Sequence, residues 1–139
     1  INATLVMVNN REGNSYLENY VIKYPPYFDE IEDIENDNID VFIETEDGFT
    51  FSLVVTTPKY LNSYMDKENM DFIPAAPPEI IVKKLTKEVI EKVIKTYIED
   101  DAYWLKLYFL AGTNDGVFDV TEMDKIINRI KRKNKDIFK

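Results

Sequence analysis

Apolar and polar residues alternate along two consecutive runs near the middle of the chain, Ile39-Asp40-Val41-Phe42-Ile43-Glu44-Thr45 and Phe49-Thr50-Phe51-Ser52-Leu53-Val54-Val55-Thr56. A period of two places successive side chains on opposite faces of a strand. The intervening Glu46-Asp47-Gly48 tolerates the positive φ of a tight turn, so the pattern predicts a β-hairpin. Thr4 to Val8 is a short β-branched run that reads as a strand, closed by the turn-forming Asn9 to Asn14. Tyr16 to Tyr24 reads as one more extended segment, and Glu79 to Lys84 as another strand beyond the prolines at 74, 77 and 78. Pro25-Pro26 breaks the chain, and Asp29 to Asn38 is an acidic stretch with interspersed isoleucines, expected as a loop or a single helical turn.

After the hairpin the apolar period changes to that of a helix. Thr57 is placed to cap a short helix with Pro58 in its first turn, running to about Lys67. Thr86 precedes a series in which Val89, Val93 and Tyr97 lie beside Ile90, Ile94 and Ile98, with Lys87, Glu91, Lys92 and Lys95 outside. Asp101 to Ala111 is apolar nearly all round, where periodicity does not separate helix from strand; its length and leading acids favour helix. Thr121 to Lys133 is expected to close the fold with Met123, Ile126, Ile127 and Ile130 inward and a basic end that suits the helix dipole. The expectation is a single α+β domain over residues 1–139. A mostly antiparallel sheet from the N-terminal half packs against three to four helices starting near Thr57, Thr86, Asp101 and Thr121.

Composition narrows the function more than the fold. The chain has 17 Lys+Arg against 26 Asp+Glu, a formal net charge of −9, and no histidine or cysteine. Such a balance argues against nucleic acid as a direct partner. Without His and Cys there is no Ser-His-Asp triad, no Cys-His pair, no disulfide and none of the usual zinc or haem ligands. The expectation is a binding protein with no catalytic residues, no metal and no cofactor. No apolar run approaches the roughly 20 residues that span a bilayer, and the first residues lack a basic signal region, so a cytoplasmic chain without a membrane partner is expected.

Three features of the sequence bear on chemistry. With Ala111 as loop position one, Asp115, Gly116, Asp119 and Glu122 fall where a degenerate EF-hand-like calcium loop over 111–122 has positions five, six, nine and twelve. Ala111 and Thr113 stand where the first two acids belong, and a helix–helix connection capped by Asp119 or Thr121 is the simpler reading. A small calcium- or ligand-responsive binding domain is the alternative this loop keeps open. Trp104, Tyr103, Tyr108 and Phe109, like Phe49, Phe51, Tyr60 and Tyr64, read as core rather than as a binding patch. The acids Asp29, Glu30, Glu32, Asp33, Glu35 and Asp37, with Glu44, Glu46 and Asp47 at the hairpin, are the candidate partner-binding residues, because such clusters accelerate encounters with basic surfaces.

Phe51 to Leu61, with its Thr57-Pro58-Lys59-Tyr60-Leu61 core, resembles the strand-into-helix signature of the immunity protein 8 family, bacterial antidotes to polymorphic or contact-dependent growth inhibition toxins. Leu17-Glu18-Asn19-Tyr20 ahead of the prolines at 25 and 26 is similar to that family's N-terminal Leu-Glu-x-Tyr region. The Pro-rich loop, the strand Glu79 to Lys83, the amphipathic helix and Trp104 follow in the family's order. The resemblance spans about Thr4 to Asp119. Leu105 stands where the family has an acid near the Trp, and the helix after Asp119 is an addition. The resemblance implies a cytoplasmic inhibitor of a cognate toxin domain, with a basic nuclease as the toxin that the acidic surface would suit.

Overall fold

The computed structural model describes residues 13–75, 77–112 and 119–137. The elements are β1 (Ser15–Leu17), β2 (Tyr20–Lys23), β3 (Asn38–Thr45), β4 (Thr50–Thr56), α1 (Pro58–Lys67), β5 (Ile80–Ile81), α2 (Lys87–Ala111) and α3 (Val120–Ile137), with a 3-10 turn at Phe28–Glu30. They form a five-stranded sheet in the order β1-β2-β3-β4-β5, antiparallel except for β5, which runs parallel to β4. The fold is α+β. The expected strand at Thr4 to Val8 lies outside the described residues.

The central hairpin forms where the alternation and Asp-Gly place it. Gly48 has φ +89° and donates its N–H to the Thr45 carbonyl, and the Thr45 N–H bonds the Phe49 carbonyl at 2.9 Å. The extended segment expected over Tyr16 to Tyr24 is instead a hairpin of its own, with Leu17 paired to Tyr20 around Glu18-Asn19. Glu18 adopts φ +50°, a left-handed conformation that glutamate does not advertise, so no local signal marks the turn. The strand expected over Glu79 to Lys84 shrinks to Ile80–Ile81.

One face of the sheet carries the core. Ile22, Ile39, Val41, Ile43, Phe51, Leu53 and Val55 point from the strands to meet Ile90, Ile94, Ala102 and Leu105 of α2, with Ile80, Val82 and Leu85 filling in from the connection. The other face shows Asp40, Phe42, Thr50 and Ser52 exposed, as a two-layer fold with one covered face requires. Because β5 is short, part of β4 has no strand beside it. The Tyr108 hydroxyl of α2 takes up this edge, accepting from the Val54 N–H at 2.9 Å.

The helical half departs from expectation in two ways. The helices expected from Thr86 and from Asp101 are one interrupted element, α2, giving three helices among the described residues. At Asp100, Asp101 and Ala102 the backbone turns left-handed, with φ of 53°, 58° and 59°. The apolar stripe nevertheless stays on the core through the break, from Ile90 and Ile94 to Ala102 and Leu105. The second departure is α3. Met123, Ile126, Ile127 and Ile130, expected inward, are 39–50% exposed and belong to no part of the core. An apolar helical stripe reports that something is to be buried, not that the same domain buries it.

Thr57 links the sheet to α1. Its hydroxyl accepts from the Tyr60 N–H as the helix cap and from the Asp37 N–H at 3.2 Å, tying the end of the acidic stretch to the start of α1.

Candidate functional site

The nine candidate acids do not make one patch. Asp29, Glu30, Glu32, Asp33, Glu35 and Asp37 occupy the connection before β3, while Glu44, Glu46 and Asp47 lie at its far end and in the following turn. At about 3.3 Å rise per residue, the eight-residue β3 holds Asp37 and the hairpin acids roughly 25 Å apart.

Within each group the side chains divide by task. Asp37 is half-buried and accepts from the Asn38 N–H at 2.7 Å, and Asp33 accepts from the Glu35 N–H at 3.0 Å; both shape the backbone. Glu44 meets Lys23 across the strand pair at 2.7 Å, on the uncovered sheet face. Asp47 accepts from the Thr45 hydroxyl and from the Phe49 N–H, and the Thr45 bond, followed by that of Phe49, holds its carboxyl below the usual carboxylate range. Asp29, Glu30, Glu32, Glu35 and Glu46 are exposed, and none forms an ion pair among the described residues. The connection is nonetheless anchored. Ile31 and Ile34 pack against the core, and the Ile34 carbonyl accepts from Leu85 N–H at 2.8 Å. The acids between them therefore project from a fixed backbone.

An exposed aromatic ring accompanies each group. Tyr27, 48% exposed, precedes Asp29 and Glu30. At the other end Phe49, 47% exposed, packs edge-on against Phe51 and Phe109 and lines a cleft of about 390 Å³ with Tyr20, Glu46, Asp47 and Lys106. The core assignment of the aromatics holds for Phe51 and, as half-buried rings packed against the core, for Tyr108 and Phe109, whereas half-buried Tyr60 stacks on Tyr64 outside the core. It is corrected for Phe49 and Tyr64, and for Tyr103 and Trp104, which form an exposed T-shaped pair at 5.3 Å because the α2 stripe that meets the sheet runs through Ala102 and Leu105 instead. A second cleft, of about 350 Å³, is lined by Tyr60, Leu61 and Tyr64 of α1, Ile73 and Pro77 of the Pro-rich connection, and Asn38.

One side-chain network was not anticipated from sequence. Ser15 donates to Glu91 of α2 at 2.6 Å, which leaves the Tyr24 hydroxyl to donate to Ser15 at 2.8 Å. Ser15 is buried, so this chain of hydroxyls joins β1 to α2 and offers no nucleophile to a substrate. Burial pushes the Tyr24 phenol up to about 12, with the Glu91 charge adding to the rise. The unfolded chain releases this proton near pH 10, whereas the folded protein keeps it to about pH 12. The stabilisation is thus complete below pH 10 and is lost as pH climbs through 12. Burial also raises Tyr97 and Tyr108, so wild type is expected to lose stability over this window and Tyr24→Phe to lose less. Equal slopes in urea unfolding across pH 9–12 would remove Tyr24 from the effect.

The candidate calcium loop over 111–122 falls largely on residues 113–118, outside the described residues. Its flanking acids have other partners: Asp119 accepts from the Thr121 N–H at 2.9 Å as a helix cap, and Glu122 pairs with Lys125 at 3.0 Å. Among the described residues there is no group of three or more acids placed to hold a metal ion.

No family model and no solved structure matches the chain. Among curated proteins, an alignment over 63 residues that covers 40% of this chain is 29% identical to Partitioning defective 3 homolog B of Mus musculus. The match covers 5% of that protein. Among the described residues no helix is long and apolar enough to cross a membrane.

Proposed function

We propose that this protein is a cytoplasmic immunity protein of the immunity protein 8 type, which binds a cognate bacterial toxin domain, a basic nuclease, and neutralises it by occupancy. The supporting observation is the placement of exposed, unpaired acids at both ends of β3, each group beside an exposed aromatic ring, with the uncovered sheet face between them. A standard interface covers about 800 Å² per partner, or about 30 Å across, enough to bridge both ends of β3. Aromatic anchors supply contact area, and the acids supply attraction toward a nucleic-acid-binding groove. The inhibitor needs no reacting group, because excluding the substrate suffices.

The test is binding to the C-terminal toxin domain encoded immediately upstream of this protein's gene, read at two salt concentrations. The expected result is a tight one-to-one complex that abolishes toxicity and weakens as salt rises. A toxin domain left active at saturating inhibitor, or the lack of such a neighbour, overturns the reading.

A further inference from the structure

The last helix presents an apolar face that nothing in the described structure covers. Val120, Met123, Ile126, Ile127 and Ile130 are all 39% or more exposed. Val120, Met123, Ile127, Ile130 and Asn134 are spaced alternately by three and four residues, which is the heptad seam of a coiled coil, and Ile126 widens the stripe on one flank. A second helix with the same spacing offers that seam its complement, position for position.

The charges specify how that helix lies. Asp119, Glu122 and Asp124 stand at the start of α3, and Arg129, Lys131, Arg132, Lys133 and Lys135 at its end. Two copies side by side in the same direction would bring the basic ends together and set Asp119 of one copy near Asp124 of the other. Reversing one copy brings each acidic end to a basic end and opposes the helix dipoles.

We propose that α3 is a self-association element, pairing antiparallel with α3 of a second copy of this chain about a two-fold axis between Ile127 and Ile130. In that register Ile127 of each copy packs against Ile130 of the other, and Asp124 flanks Lys131 of the other copy, twice by symmetry. Asn134 comes level with Met123 of the second copy near each end of the seam, where water reaches it. The helix is about 27 Å long at 1.5 Å per residue, a short seam, so the dimer is expected to depend on concentration. This inference does not rest on the toxin reading.

Sedimentation equilibrium of the full chain over a wide concentration range tests it. The expected result is a rise from one to two chain masses. The double substitution Ile127→Lys with Ile130→Lys should hold the protein monomeric, raising Kd more than about 100-fold, with thermal unfolding of the monomer unchanged because neither residue touches the core. Direction is read from a charge cycle. Asp124→Lys and Lys131→Asp alone should each raise Kd about fivefold at low salt, and together restore it. A wild-type chain that stays monomeric, a dimer that survives the Ile127→Lys, Ile130→Lys change, or a double charge swap that fails to restore association overturns the proposal. So does a wild-type monomer that binds phosphatidylserine vesicles through α3, which would give this face to an anionic lipid surface.

Discussion

Leu105→Ala should lower the free energy of unfolding by about 3 kcal/mol, while Trp104→Ala, one residue away, should change it by about 0.5 kcal/mol. Leu105 has no exposed surface and sits in the core where α2 meets the sheet, so truncation removes buried contacts and leaves a cavity. Trp104 is 53% exposed and its ring contact is with Tyr103, itself exposed. On ring size alone the ranking would be reversed, which makes the pair a sharp check on the phase of α2 after its left-handed break. Urea midpoints at constant slope supply the measurement. Comparable losses at the two positions would mean that the second half of α2 is rotated from the arrangement described.

The second large effect concerns the proposed complex. Replacing Asp29, Glu30, Glu32 and Glu35 together by lysine should slow association with a basic toxin domain by about 100-fold at low salt and change the dissociation rate far less. Folding should be preserved, since the backbone there is held by Ile31, Ile34 and the Leu85 hydrogen bond rather than by those carboxylates. The same change at Asp33 or Asp37 would confuse the result, because both accept backbone hydrogen bonds. Stopped-flow association at low and high salt separates the outcomes: the difference from wild type should shrink as salt screens it. Unchanged association at low salt would take this segment out of the interface.

Legibility from sequence followed the presence of local chemical signals. The central hairpin and α1 were readable because Asp47-Gly48 and Thr57-Pro58 act within a few residues and for a physical reason that local sequence expresses. The turn at Glu18 and the break at Asp100 to Ala102 were not, since left-handed backbone there is carried by residues other than glycine. The apolar stripe of α3 was readable as a stripe, but its direction was not, because amphipathicity is blind to which body supplies the cover. The candidate acids were legible as residues and not as a surface. The expected strand from Ile39 to Thr45 already parts them into two groups, but only the pairing of β2 with β3 brings Lys23 to Glu44.

The anchoring of the acidic connection has an evolutionary corollary. Its fold-determining contacts come from Ile31, Ile34 and two aspartates that bond backbone, whereas Asp29, Glu30, Glu32 and Glu35 make no contact on which the core depends. Substitutions at those four positions are therefore close to neutral for stability and free to drift under selection by whatever surface they face. Under the proposed toxin-binding role, a lineage could retain the sheet, α2 and the turn at Phe28–Glu30 while these four positions change, so that sister proteins with superimposable cores would exclude one another's partners.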